Sequence, residues 1–273
     1  MAVVRRSAHM NVMVDAAEKA GRSLIRDFGE IENLQVSKKG PGNFVTAADH
    51  KSEKLIRELL AKARPKYGFL MEESGEIKGE DAGNRWIVDP LDGTMNFLHG
   101  IPHWSVSIAL EMGGELIAGV IYDPVKDEMF WAEKGLGAYM NNRRITVAGR
   151  QSLPDTAVAI QTQSHGSVEG MQELLQSGML VRAMGSTCLD LCYVACGRLD
   201  AMYKAKISGG LWDVAAGVVL VREARGIVTD RNNGKNFGNG GSIVAANAPL
   251  HTELMKRVKP AATKPAQKAS TAS

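Results

Sequence analysis

The chain has 273 residues, of which 44% are hydrophobic and 23% charged, so it can bury one large core or two joined subdomains like an ordinary soluble protein. Its formal net charge of +3 is too small to make nucleic acid or an anionic membrane the main partner. No stretch reaches the ~18 uninterrupted apolar residues of a membrane helix, and the N-terminus lacks the apolar core of a signal peptide, which predicts a cytoplasmic protein.

The first two predicted elements are helices. Apolar residues recur at three- and four-residue steps from about Ser7 to Phe28, with Ser7 able to cap the start of this helix and Gly29 its end. After a polar loop, Thr46 and Asp49 open a second helix in the pattern of a capping box. From the sequence alone, helix capping is the simpler role for Asp49.

The segment 86–94 runs from a short apolar strand into two carboxylates. Pro90 has no N–H group to give to a neighbouring strand, so we expect the strand to end near Asp89. In a tight turn, Asp89, Asp92 and the carbonyl group of Leu91 can converge on one hard cation, because Mg²⁺ prefers oxygen ligands. Asp-Pro and Asp-Gly pairs are also common in turns that have no function, and that alternative stays open at this point.

Two further carboxylates and two amide groups extend this pattern. Gly93 and Thr94 open a short helix whose N–H groups can face a phosphate. Glu72 ends another apolar run, and Asp213 lies in the first turn of a helix predicted from Trp212 onward. Each acid alone is typical of a solvated side chain or a helix-dipole partner, but together with the central segment they form a scattered carboxylate set.

The remaining elements divide the chain into two unlike halves. From 105 to about 148, alternating apolar segments and glycine turns predict an antiparallel meander that ends in a strand at 145–148. The second half alternates and indicates α/β layers, with strands at 158–160, 200–203 and 243–246 and helices at 168–176, 186–195 and 212–224. After about residue 258 the composition predicts a disordered tail.

Three cysteines, Cys188, Cys192 and Cys196, recur every four residues on one predicted helix. No histidine lies nearby and the C-x₂-C spacing of many metal sites is missing. We interpret them as small buried residues of a reducing compartment.

Three segments resemble the signature regions of the inositol monophosphatase family of metal-dependent sugar phosphatases: MEES at 71–74, WIVDPLDGTMNF at 86–97 and WDVAAG at 212–217. The segment 185–203, GSTCLDLCYVACGRLDAMY, is most similar to the bacterial branch that includes the extragenic suppressor inositol monophosphatase. The resemblance covers about residues 7–258. It implies an α/β fold of alternating αβαβα layers, in which 1–258 form a single catalytic unit of two fused α/β subdomains that meet at about residue 150, followed by the disordered tail 259–273.

The resemblance also implies an activity and its residues. The family hydrolyses inositol monophosphate or similar polyol and sugar phosphates with a metal-activated water, needs two to three Mg²⁺ ions and is inhibited by Li⁺. By motif matching, Glu72, Asp89 and the Leu91 carbonyl hold one ion, Asp89, Asp92 and Asp213 hold a second, and Asp49 with Thr94 orients and deprotonates the water. Substrate contacts are expected from Asp92, Gly93, Thr94, Gly185, Ser186, Thr187, Lys204 and Asp213, with Lys38 as a further candidate.

One departure from the family pattern affects the expected substrate. Where the family usually places a glutamate that binds ring hydroxyl groups, this chain has Lys204 and Lys206, and the segment before Trp212 is about two residues longer. A sugar or nucleotide bisphosphate is therefore an alternative substrate class. A third alternative is a binding role, since the suppressor branch also associates with the transcription machinery. As partners the resemblance further implies a small phosphate ester and a second copy of the chain in a homodimer, with neither a membrane nor direct nucleic-acid binding.

Overall fold

The computed structural model describes residues 5–30, 36–38, 44–161, 176–238 and 240–258, with only the backbone described for 36–38 and 44–46. The predicted tail 259–273 and nearly all of the predicted helix 168–176 lie outside these residues, as does the side chain of Lys38. Among the described helices, none combines the length and the apolar character needed to cross a bilayer.

The first half of the chain builds one large sheet. Helix α1 (Ala8–Gly29) begins after its cap Ser7, whose hydroxyl group accepts a hydrogen bond from Met10 N, and helix α2 (Ala47–Ala63) follows a short antiparallel pair, β1 (Val36–Lys38) and β2 (Phe44–Thr46). The eight strands of the large sheet lie in the order β10-β9-β8-β7-β6-β5-β3-β4, with β3 and β5 parallel and all other neighbours antiparallel. They are β3 (Tyr67–Met71), β4 (Gly75–Ile77), β5 (Asp81–Asp92), β6 (Ser105–Met112), β7 (Glu115–Asp123), β8 (Glu128–Glu133), β9 (Gly137–Met140) and β10 (Arg143–Ile145). The predicted meander is confirmed.

The second half builds a smaller mixed sheet with the order β12-β11-β13-β15-β14. Its strands are β11 (Ala157–Gln161), β12 (Leu180–Arg182), β13 (Ala201–Lys204), β14 (Ile227–Thr229) and β15 (Ile243–Ala246). Its described helices are α4 (Thr187–Ala195), a 3₁₀ helix (Leu211–Asp213), α5 (Ala215–Glu223) and α6 (Ala248–Arg257). The short helix α3 (Thr94–Leu98) belongs to the first half, where it follows β5.

Alternation along the strands separates the layers. In β5, Trp86 and Val88 join the hydrophobic cluster that contains α1 and α2, whereas Ile87 joins the cluster that contains α4 and α5. In β11, Ala159 faces α4 and α5, whereas Val158 packs in the cluster with α6. Because successive side chains of a strand point to opposite faces, each sheet has helices on both sides. The predicted αβαβα layering is confirmed, while the proposed subdomain boundary at about residue 150 stays a prediction.

Helix α5 lies against the large sheet at Gly119 of β7. A Cβ atom at this position would come within 2.6 Å of the carbonyl oxygen of Ala216, so only glycine admits the helix backbone so near the strand. This close approach fixes the start of α5, and with it the 3₁₀ helix that carries Asp213, against the edge of β5 and β6.

Several predicted boundaries were wrong. Strand β5 does not end at Asp89 but continues through Pro90 to Asp92, and it begins at Asp81, before the apolar strand predicted from Trp86. Its pairing with β6 shifts register between Asp89 and Asp92, so Pro90 lies where an N–H group is not needed. Asp213 belongs to a separate 3₁₀ helix before α5, Gly29 is the last residue of α1 rather than its cap, and no strand extends from Ile145 to residue 148.

Candidate active site

One face of helix α2 holds two segments of the site, the end of β5 and the turn that carries Glu72. Asp49, Ser52 and Glu53 are all buried and follow one another at helical spacing. Ser52 Oγ donates a hydrogen bond of 3.0 Å to the Pro90 carbonyl oxygen, and Glu53 accepts from Glu73 N at 2.8 Å. Glu53 also accepts from both the N–H and the hydroxyl group of Ser74. Helix α2 therefore fixes the turn that carries Glu72 relative to the end of β5.

The end of β5 brings the hydroxyl group of Thr94 to Asp49. Thr94 Oγ lies 3.4 Å from Asp49 Oδ2 and 2.9 Å from the Leu91 carbonyl oxygen. Asp89 accepts a hydrogen bond of 3.1 Å from Leu91 N, which turns the backbone so that Asp89 and the Leu91 carbonyl face the same region. Gly93, with φ +93°, makes the left-handed bend from β5 into α3.

Asp92 is held by the start of helix α4. It accepts hydrogen bonds from the Ser186 hydroxyl group, from Thr187 N at 3.3 Å and from Cys188 N at 2.9 Å. Ser186 is also the N-cap of α4, because its hydroxyl group accepts from Leu189 N. This joins the second half of the chain to the end of β5 across a separation of more than 90 residues.

The predicted contact residues of α4 are buried. Ser186 is 0% and Thr187 2% exposed, and the Thr187 hydroxyl group donates to Gln161 Oε1 at 2.8 Å. Gly185, with φ +85°, packs on the side chain of Asn96, which follows Thr94 in α3. The hydroxyl groups of Ser186 and Thr187 therefore bond to protein groups rather than pointing into open space.

Lys204, at the end of β13, points into the same region. Its side chain is 0% exposed, and Nζ donates to Thr187 Oγ1 at 2.9 Å and lies 3.4 Å from Asp213 Oδ2. The Asp213 carboxylate also accepts a hydrogen bond from the backbone of Gly210. Lys206, by contrast, is exposed.

Burial and mutual repulsion disfavour the charged forms of these acids. Burial is the largest cause, followed by the negative charges of neighbours, and together they raise the pKa of Glu72 to about 8 and the pKa of Asp89 well above its usual range. Burial raises the pKa of Asp92 to about 6, although the hydrogen bond from Ser186 opposes the rise. Burial also raises the pKa of Asp213, and Lys204 opposes this rise.

These acidic groups fit a divalent metal. Ligand atoms of Asp49, Glu72 and Glu73 lie within 4.8 Å of one another, and so do those of Asp89, Asp92 and Cys188. In the part of the chain that the structure describes, Lys204 is the one cationic side chain within salt-bridge distance of Glu72, Asp89, Asp92 or Asp213. So much buried negative charge near one ammonium group is what a bound cation would relieve, and the oxygen donors suit a hard ion.

Cys188 does not change this preference for a hard ion. Burial raises the pKa of its thiol well above the usual value, and Sγ lies 3.2 Å from the Asp213 carbonyl oxygen as a donor. The three cysteines are free, with Cys188 and Cys192 buried, which agrees with their interpretation as small buried residues.

Several residues of this region were not predicted from the sequence. Glu53, Glu73 and Asp190 were not singled out, although Glu73 shares the Asp49 group and Glu53 fixes its turn. Burial raises the pKa of Asp190 to about 7, and its carboxylate accepts from Gln161 Nε2 at 2.8 Å. The helical spacing of Asp49 and Glu53 was a usable signal for the face of α2, whereas Asp190 depends on neighbours from another strand.

Comparison with known proteins agrees with this geometry. The model of the inositol monophosphatase family matches residues 6–263. The chain is 52% identical over 260 residues to the inositol-1-monophosphatase of Mesorhizobium japonicum, covering 93% of this chain and 97% of that protein. It is 37% identical over 256 residues to the Nus factor SuhB of Escherichia coli K12, covering 92% and 95%.

A solved structure gives the same result. The extragenic suppressor protein suhB from Bartonella henselae superposes with a TM-score of 0.90 at 49% identity, covering 94% of this chain and all of that one. The sequence resemblance to the family and to its extragenic suppressor branch is thereby confirmed. The chain belongs to the inositol monophosphatase family and is an enzyme of its phosphoric monoester hydrolase class.

Proposed function

We propose that the protein is an Mg²⁺-dependent phosphomonoesterase that hydrolyses inositol monophosphate or a similar polyol phosphate. The observation that carries this proposal is the meeting of four carboxylates, the buried Asp89 and Asp92 and the half-buried Glu72 and Asp213, with the Thr94–Asp49 pair at one end of β5. A phosphate dianion cannot approach such a cluster unless cations neutralise it. The identity to a protein named inositol-1-monophosphatase supports inositol as the alcohol.

The residues present would hold two to three Mg²⁺ ions. Glu72, Asp89 and the Leu91 carbonyl would hold one, and Asp89, Asp92 and Asp213 would hold a second. A third ion fits near Glu73, which groups with Asp49 and Glu72. When bound, these ions supply Lewis-acid chemistry, by acidifying water and stabilising negative charge on phosphate oxygens.

Thr94 and Asp49 would orient the attacking water molecule and accept its proton. Thr94 Oγ donates to either Asp49 or the Leu91 carbonyl, so its lone pairs are left to orient a water molecule. Asp49, 1% exposed and at the start of α2, is the proton acceptor for that pair. The amide groups of Gly93 and Thr94, at the bend into α3, would bind the phosphate.

The remaining substrate contacts follow from the placement of each residue. Asp92 and Asp213 would accept hydrogen bonds from hydroxyl groups of the substrate, whereas Gly185, Ser186 and Thr187 would shape the site through Asp92 and Asn96. Lys204 would act through Asp213, and Lys38 stays a candidate whose side chain lies outside the described residues. We also propose a cytoplasmic homodimer of catalytic units spanning 1–258, with no membrane or direct nucleic-acid contact.

A phosphate-release assay across a substrate panel tests this function. The panel contains inositol monophosphate, other polyol phosphates and sugar and nucleotide bisphosphates, each with Mg²⁺ and with excess EDTA. Asp213→Asn should abolish turnover while the protein remains folded. The matched control is Asp200→Asn, which changes another buried carboxylate whose partners are Arg150 and Ala157 N, away from the cluster. Turnover in EDTA, or equal loss in both variants, would refute the proposal.

A second candidate function is association with the transcription machinery, which the relatives named Nus factor SuhB favour at 35 to 43% identity. The two roles separate in one experiment. Asp213→Asn protein and wild type are compared for binding to purified transcription complexes. Equal binding by the inactive variant would support a role independent of catalysis, and no binding by either protein would exclude it.

A further inference from the structure

Lys204 is a fully buried ammonium group beside a carboxylate cluster. Its two described partners are the Thr187 hydroxyl group at 2.9 Å and the Asp213 carboxylate at 3.4 Å. Removing an ammonium group from water is unfavourable unless opposite charge and hydrogen bonds compensate. A lysine in this position therefore indicates that the surrounding negative charge stabilises it.

Lys204 also connects the site to a further buried acid, Asp190. A chain of hydrogen bonds connects Lys204 through Thr187 and Gln161 to Asp190. Lys204 thus lies between Asp213 on one side and Asp190 on the other.

The segment after β13 packs closely against Asp213 and Trp212. A Cβ atom on Gly209 would lie 2.5 Å from Asp213 Oδ1, and a Cβ atom on Gly210 would meet the Trp212 ring at 2.6 Å. Gly210 also accepts a backbone hydrogen bond from Asp213 N. Because the Lys204 side chain is 0% exposed, its ammonium group is not placed to contact a substrate directly.

Resting on the metal dependence proposed above, we propose that Lys204 is a positioning residue that serves as the counter-cation of Asp213. It keeps Asp213 and Thr187 in place when no metal is bound. It also repels the cation that Asp92 and Asp213 would hold, so the divalent ion binds there more weakly than it would beside a neutral residue. The longer segment at 205–210 contributes to the same positioning, because Gly209 lies directly against the Asp213 carboxylate.

The test compares metal-free stability with metal affinity. Wild type, Lys204→Met and Lys204→Arg are stripped with chelator, melted without metal, and titrated with Mg²⁺ by calorimetry at fixed ionic strength. Lys204→Met should melt at a lower temperature without metal and yet bind Mg²⁺ about tenfold more tightly or better, because one positive charge near the ion is gone. Lys204→Arg should restore wild-type affinity. Lys206→Met, an exposed neighbour with the same change in charge, should alter neither quantity.

The opposite signs separate this role from a merely structural one. A loss of packing alone would lower both the melting temperature and the Mg²⁺ affinity, and this result in a folded Lys204→Met protein would overturn the inference. If that variant does not fold without metal, Lys204→Gln, which keeps a donor for Thr187 and removes the charge, gives the same comparison. If wild type binds Mg²⁺ and the affinity is unchanged in Lys204→Met and Lys204→Gln, the role of Lys204 is refuted but the proposed function is not. If wild type does not bind Mg²⁺, the proposed function is refuted as well.

Discussion

The substitution Asp49→Asn separates helix capping from chemistry. Asp49 is the third residue of α2, a position where an acid commonly stabilises the helix start, and there asparagine should cost about 1 kcal/mol or less. In the structure, however, its Oδ2 lies 3.4 Å from Thr94 Oγ, and the carboxylate is 1% exposed. The amide keeps the size of the side chain but cannot accept a proton from a water molecule held by Thr94.

We expect Asp49→Asn to lower kcat about 10²-fold or more at nearly constant KM, equivalent to about 2.7 kcal/mol of transition-state stabilisation. Initial rates of phosphate release at saturating Mg²⁺ measure this, with thermal melting as the check on folding. Thr94→Ala should be similarly slow, since it also removes the donor to the Leu91 carbonyl. The double variant should be little slower than either single one, because the two residues act as a unit. A rate within about threefold of wild type for Asp49→Asn, or fully additive losses, would return Asp49 to the capping role.

Four further predictions concern cations and protons. Excess EDTA should abolish phosphate release and added Mg²⁺ should restore it, and Mg²⁺ should raise the melting temperature because the ion binds only the folded site. Mg²⁺ affinity should increase as pH rises from about 6 to 8, since the ion competes with protons on Asp92 and Glu72, whose pKa values are raised to about 6 and about 8; calorimetry in two buffers should show the protons released. In the metal-free protein, Glu72 binds more protons folded than unfolded, so the free energy of unfolding should fall as pH rises from its ordinary pKa of 4.5 toward 8. An affinity for Mg²⁺ that does not change with pH would contradict the raised values.

The layer order follows from sequence patterns that are local. A short apolar run such as Val158 to Ile160, or apolar residues at helical spacing in α1, depends on the chain alone and predicted the elements correctly. The predicted end of strand β5 was wrong, because the missing N–H group of Pro90 does not end the strand. Its neighbour β6 accommodates the residue through a register shift, and such a shift depends on a partner strand that the sequence does not identify.

The site divides in the same way. The acids of the central segment and Thr94 are contiguous in sequence, so both the chemistry and the family resemblance pointed to them. The groups that hold these acids come from far along the chain: Ser186 donates to Asp92 across 94 positions, and Glu53 fixes the turn of Glu72 from a different element. Lys204 was noted as a departure from the family, but only the fold shows that its side chain is buried against Asp213.

The bend at Gly93 gives a prediction that joins local backbone geometry to activity. Its φ of +93° lies in the left-handed region, and a Cβ atom would meet the His103 carbonyl oxygen at 3.0 Å. Gly93→Ala should therefore lower the free energy of unfolding by about 1–2 kcal/mol or more, since an L-residue is strained there even before the contact.

The matched control for Gly93→Ala is Gly100→Ala. Gly100 also has a positive φ, +68°, but nothing lies within 4 Å of its Cβ position, so its substitution carries the backbone strain without the contact or the site. Because Asp92 and Thr94 flank Gly93, Gly93→Ala should lower kcat about tenfold or more, beyond what its melting temperature explains, whereas Gly100→Ala should lose stability and keep kcat. Equal kcat in two equally destabilised variants would show that the bend at Gly93 serves the fold alone, because strain at a position remote from the carboxylates would then have the same effect as strain between them.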